Sequence, residues 1–230
     1  MSLFRTASPA PTPTAPPGPT IVVALNPETA DTDVLAAAVA AARRHRLSPA
    51  QPRPYFLRRR GVLHGKHAAA RVSDGPLARL DLDAMRQSAV AAAGAQWRWW
   101  HHIVEGTPVA RPMWSFADRH RTQPERYPYR QAESDYAAQP RILAMAAYNA
   151  MPQHWPLPLS ALEAFQAGWS TYLNLAWLSA VCADGLITAD GRWRTTATER
   201  LSDQVHYLNG ANAYLATLTR TDHLVALSLG

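Results

Sequence analysis

Gly168 and Gly185 stand seventeen residues apart and bracket the most apolar run of the chain, Trp169–Ala183. That interval holds about four turns of helix and no more. It is too short to span a bilayer, and Ser170, Thr171, Asn174 and Ser179 interrupt it. Upstream, Arg141–Met151 reads as an apolar helix followed by a proline-broken loop. Ser160-Ala-Leu-Glu163 then has the form of a capping box that opens a short helix. Downstream, Asp184-Gly-Leu-Ile187 steps into an extended segment. Asp190-Gly191 supplies a tight hairpin turn, and Arg192-Trp-Arg194 forms the return strand.

Helix, short helix, turn glycine, longer helix and two-stranded hairpin, in that order, resemble the winged helix-turn-helix superfamily. The resemblance covers residues 140–195, about a quarter of the chain. It implies a recognition helix that presents Ser170, Thr171, Tyr172 and Asn174, and a wing that presents Arg192, Trp193 and Arg194, with duplex DNA as the partner. Asn suits adenine, and Ser or Thr suits phosphate. The expected recognition helix departs from a DNA reader in carrying no Arg or Lys. Docking of a protein partner through the same unit therefore stays open.

The formal net charge is +6 and the sequence pI about 9.9. Lys66 is the sole lysine among 23 basic residues, and arginine suits phosphate and base-edge contacts. From Gln139 onward five Arg face six acids, so residues 1–138 hold the whole excess, at +7. The densest run is Arg58-Arg59-Arg60. With Lys66 and Arg71 across an expected hairpin it makes a basic strand face that tracks phosphates, or else a solvated loop. Gln96–Ile103 contains three tryptophans. On a helix Trp97 and Trp100 share one face, suited to the core. Trp99, Arg98 and His102 point elsewhere, where an aromatic beside Arg98 stacks on a base or seals a protein contact.

The expected fold class is α+β, predominantly helical. A small N-terminal α+β layer is followed by a C-terminal winged helix-turn-helix with an extra C-terminal helix. The expected organisation is a Pro/Thr-rich disordered tail (1–20), an α+β domain (21–104), an irregular basic connector (105–138) and a winged-helix domain (139–230). Ile21–Leu25 reads as a buried strand, and Asp31 or Thr32 as the cap of the helix after it. Tyr55–Arg58, Val62–His64, Ala68–Val72 and Leu77–Leu82 read as strands, arranged in an RRM-like or ferredoxin-like sheet. Asp83 is the expected cap of a helix over Ala84–Val104. Thr196–Glu199 has the form of a second capping box, opening a helix whose stripe is Leu201, Val205, Leu208, Ala211 and Leu215. Helix 197–217 either makes a homodimer contact or packs on its own domain. Leu224–Leu229 reads as a terminal strand.

One cysteine, Cys182, excludes an internal disulfide and a Cys-rich zinc site. The amino terminus lacks a basic segment followed by an apolar run, so a cytoplasmic protein without membrane contact is expected. No cofactor, metal ligand or catalytic residue is assigned. Walker and dinucleotide-type glycine patterns are absent. The expected function is non-enzymatic nucleic-acid binding in a regulatory or accessory role. One alternative is a structural or assembly subunit of a larger complex or viral particle. Another is a metal- or His-dependent enzyme using His64, His67, His101 and His102.

Overall fold

The run Thr20–Leu25 forms β1, and all six of its residues are buried. A strand with no polar face has to be covered on both sides. Ile21, Val23 and Leu25 pack under a helix on one side. Val22 and Ala24 pack under several helices on the other. The computed structural model describes residues 18–59, 71–152 and 156–230. After β1 come α1 (Pro27–Arg44), β2 (Pro49–Pro52), β3 (Phe56–Leu57), β4 (Arg71–Val72), β5 (Asp74–Pro76) and α2 (Leu82–Ile103). Then follow α3 (Met113–Thr122), α4 (Tyr129–Ala137), α5 (Pro140–Asn149), α6 (Leu162–Gln166) and α7 (Trp169–Cys182). β6 (Gly185–Ile187), β7 (Trp193–Thr195), α8 (Leu201–Leu215) and β8 (His223–Leu229) complete the order.

The architecture is α+β, with one mixed six-stranded sheet in the order β2-β8-β1-β6-β7. β1 runs antiparallel to β8 from Thr20↔Ser228 to Leu25↔His223, and parallel to β6 from Ile21↔Gly185 to Val23↔Ile187. The outer edge of β8 is divided between β2 and β5. β2 carries Pro49 and Pro52, which lack the amide donor an inner strand needs, so an edge position fits it. β3 and β4 form a separate two-stranded ribbon. α1 covers one face of the large sheet, where Ala38, Ala41 and Ala42 meet Ile187, Val225 and Leu227. α2, α7 and α8 cover the other, where Met85, Leu178, Val181, Leu208 and Leu215 meet Val22, Leu186 and Leu224.

Several sequence expectations change. Segments 21–104 and 139–230 share a sheet and a core, because β1 pairs with strands from the far end of the chain. The N-terminal strands therefore do not close into a sheet of RRM or ferredoxin type. Segment 105–138 is helical, not irregular: α3 and α4 pack around Phe116, Tyr127 and Ala132. Its five arginines are matched by five acids, so it is not basic either. Leu77–Leu82 is a 3-10 turn running into α2, not a strand. Asp81, not Asp83, caps α2 by accepting from Ala84 N (3.1 Å). In α1, Asp33 accepts from Ala36 N (3.0 Å) at a kink; the side chains of Asp31 and Thr32, the expected caps, lie outside the described residues. Val62–His64 lies outside the described residues. Ala68–Val72 is described only from Arg71, where β4 does pair back on β3.

The stripe expected for a dimer contact lies inside the chain's own core. Leu208, Ala211 and Leu215 are buried, and Leu201 and Val205 pack against them. Neither expected capping box forms. Glu163 reaches across instead, accepting from Trp114 Nε1 (2.8 Å) and from Leu201 N (3.2 Å) at the start of α8. Thr198 accepts from Arg200 N (3.1 Å).

Gly185 sits beneath the Trp193 ring, and a Cβ added there would stand inside the ring. His45 holds the same hairpin through Gly191 O (2.8 Å). Gly185→Ala should therefore displace Trp193 and cost about 1–3 kcal/mol as overpacking. Urea unfolding reads the loss. An unchanged midpoint would show that the tryptophan is not held there.

Candidate nucleic-acid interface

Backbone pairing gathers arginines that are far apart in the sequence. Leu57 lies opposite Arg71 across β3 and β4. Arg58 bridges to Leu80, and Arg59 N donates to Arg79 O (2.7 Å). Next to Arg79, Ala78 N donates to Arg220 O (2.9 Å). Arg58, Arg59, Arg71, Arg79 and Arg220 are all exposed. Among the described residues none of the five has an ion-pair partner. Arg71 donates to Tyr55 O (2.7 Å), and the neighbouring carboxylate of Asp81 is occupied as the α2 cap. Uncompensated like charges held together by a rigid backbone repel one another and attract a polyanion. Arg60 and Lys66 lie outside the described residues.

α7 packs along α2 in the opposite direction. Trp169 fills the space beside Gly94, where a Cβ would come within 3.1 Å of the ring. Tyr172 donates to Gln96 Oε1 (2.6 Å), and Arg86 lies 4.2 Å over the Trp177 ring. This packing leaves one ridge of α7 in solvent: Ser170, Asn174 and Trp177, which share a helical face. Thr171 is half-buried. Tyr172 turns inward and stacks on Phe165 at 4.4 Å, so it does not join the ridge. The cations missing from α7 come from α2. Exposed Arg98 lies 5.7 Å over Trp169 at one end of the ridge, and Arg86, mostly buried and paired with Asp83 (3.4 Å), lies over Trp177 at the other. Trp99 is 48% exposed beside Arg98, whereas Trp100 is buried.

The hairpin at 185–195 does not project as a wing, because β6 is a strand of the central sheet and β7 its edge. Arg192 is exposed and paired with Asp190 (2.9 Å). Trp193 packs on the α1 side of the core. Arg194 is half-buried, lies 6.0 Å over the Tyr214 ring, and its buried Nε has no acceptor. Of these three expected contacts, only Arg192 reaches solvent fully. Sequence reasoning missed Arg79, Arg220 and Arg86. Nothing local marks them, since strand pairing and helix packing bring them to their places.

Among the described residues no group of three or more His, Cys, Asp or Glu could hold a metal ion. His64 and His67 lie outside those residues, and His102 stands 3.8 Å from Glu105. Cys182 is buried, accepts from Asn212 Nδ2 (3.2 Å), and its thiol is pushed up to about 12 by burial. No helix of the described residues is long and apolar enough to cross a membrane. Comparison with protein-family models, with curated proteins and with solved structures finds no match to this chain.

Burial raises the Tyr172 phenol from about 10 to about 12. The folded chain thus holds the neutral phenol more firmly than the unfolded chain does. The stability this contributes is complete below pH 10 and is lost as pH rises toward 12. Burial shifts Tyr55 and Tyr207 the same way. The urea midpoint should fall across that window and fall less steeply in Tyr172→Phe. Equal slopes would mean that Tyr172 is open to solvent.

Proposed function

We propose that the protein is a non-enzymatic nucleic-acid-binding protein with a regulatory or accessory role, and that duplex DNA is its ligand. The observation that carries this reading is the cluster Arg58, Arg59, Arg71, Arg79 and Arg220. Its members are drawn from four segments, are exposed, and have no ion-pair partner among the described residues. In this reading residues 140–195 act as a winged-helix unit whose hairpin has joined the central sheet. Gly168, with φ +98° at the turn, and the helix order α5, α6, α7 support it. Ser170 and Asn174 then face a groove, while Arg98 and the cluster supply phosphate contacts. The partner has to be polyanionic, because base-facing residues on an uncharged helix give little affinity alone.

A second reading, a subunit of a larger assembly, is favoured by one observation. The outer face of α5 is apolar, with Leu143 54% exposed alongside Ala146 and Ala147, and Met151 just past its end is 56% exposed. Such a face predicts self-association or partner binding that is insensitive to salt.

Binding of labelled duplex across a salt series separates the two readings. In the first, affinity falls steeply with salt, and Arg58→Ala with Arg79→Ala lowers the log–log slope by about two. Asn174→Ala should leave the slope alone and reduce sequence discrimination. A slope unchanged by the double substitution would remove the cluster from the contact set.

A further inference from the structure

A cleft of about 350 Å³ opens where the end of α2, the segment after it, the start of α5 and the α6–α7 turn meet. Among the described residues its wall holds a cation with no anion beside it and one indole N–H with no acceptor. Arg141 uses three of its five N–H groups: Nε to Thr107 Oγ1 (3.1 Å), Nη1 to Gln166 Oε1 (2.9 Å) and Nη2 to Thr107 O (2.7 Å). All three acceptors are neutral. Arg141 has no ion pair among the described residues. Gln166 cannot rotate to change this, because its amide is also bonded to Ala110 N and O (2.8 and 2.9 Å). Trp100 lies 5.6 Å beneath the guanidinium. It is 4% exposed, and its indole Nε1 has no acceptor. Gly168, also on the wall, begins α7, a fourteen-residue helix without a side-chain cap. The first intrahelical bond is Tyr172 N to Gly168 O, so the amides of Trp169, Ser170 and Thr171 precede it. His101, stacked on Trp97 at 4.9 Å, completes the mouth. The one acid on the rim, Glu105, stands beside His102.

The geometry points to a binding site for a phosphate group in this cleft, held by Arg141, the Trp100 indole and the start of α7. The wall brings a cation without a counter-charge and the N-cap of α7 to one space, with the unpartnered Trp100 indole beneath the guanidinium. A tetrahedral oxyanion with several lone pairs satisfies donors that converge from different directions better than a planar carboxylate does. The cleft is at the size where a small phosphate-bearing molecule fits. The phosphate comes either from a nucleic-acid backbone or from a free phosphate compound. The backbone source rests on the function proposed above, whereas the site itself does not.

The test uses the full chain. Trp97 and Trp100 line the cleft, so intrinsic fluorescence is followed while sodium phosphate is added, against sodium chloride of matched ionic strength. A saturable change with phosphate alone is expected. Arg141→Gln should raise the half-saturation concentration about tenfold or more, the effect of losing a charge-assisted contact. Arg141 also staples three segments, so His101→Glu serves as a second variant. Its side chain is exposed, the fold is kept, and a negative charge at the mouth should abolish the response. Arg126→Gln, on α4's side of the molecule, should change nothing. The proposal is overturned if the wild-type chain shows no phosphate-specific change, or if both folded variants respond as the wild type does. Duplex binding then assigns the source. Weaker binding in Arg141→Gln together with competition by phosphate identifies the backbone. Unaltered duplex binding with a positive phosphate response identifies a free compound.

Discussion

Covering β1 on both faces is the constraint on which the rest of the molecule depends. Six consecutive buried residues leave the strand no solvent side, so α1 must close one face and the α2–α7–α8 layer the other. The same strand needs partners at both edges. It finds β8 on one and β6 on the other, which draws the 185–195 hairpin into the sheet. β5 follows β8, and two bonds past their pairing, Leu77 N to Asp222 O and Ala78 N to Arg220 O, carry Arg79 beside Arg220. The basic cluster is thus a consequence of how the apolar centre is built.

Away from the sheet, arginine–aromatic contacts do much of the joining. Among the described residues seven arginines lie over aromatic rings, against roughly one significant cation–π contact per 70–80 residues in ordinary proteins. A planar guanidinium stacks and still donates at its rim, which an ammonium cannot do. Part of the arginine bias therefore has a structural use within the fold, and those arginines are not all free for a polyanion. One such contact belongs to a latch that ties three helices. Arg200 lies 4.6 Å over Trp114 and pairs with Asp118 (2.6 Å), while Glu163 bonds both Trp114 and the first amide of α8.

Elements defined by local chemistry were legible in the sequence. The apolar runs at Ile21–Leu25 and Leu224–Leu229, the turn glycine Gly168, the shared face of Trp97 and Trp100, and the hairpin at Asp190-Gly191 are all found where expected. What depends on distant partners was not legible. Glu163 follows Ser160 at the capping-box interval, yet its carboxylate serves α8, because α8 starts beside it in space. Prolines and charges between Glu105 and Arg130 read as an irregular connector, but Pro112 and Pro128 stand just before α3 and α4, where a missing amide costs nothing. Trp193 read as a contact on a wing. The β6–β7 pairing lays its ring over Gly185, and the cover of that sheet face by α1 takes it out of a wing. The candidate site divides in the same way: Arg58, Arg59, Arg98, Ser170 and Asn174 stood in the sequence, whereas Arg79, Arg86 and Arg220 are brought in by tertiary pairing.

Thr20 pairs with Ser228, so β1 meets its longest neighbour only after about two hundred further residues have been made. Until β6 is made both edges of this buried strand are bare, and until β8 is made one still is, a ready template for pairing with other chains. Folding therefore waits on the last strand of the sheet, as contacts of such high sequence separation do.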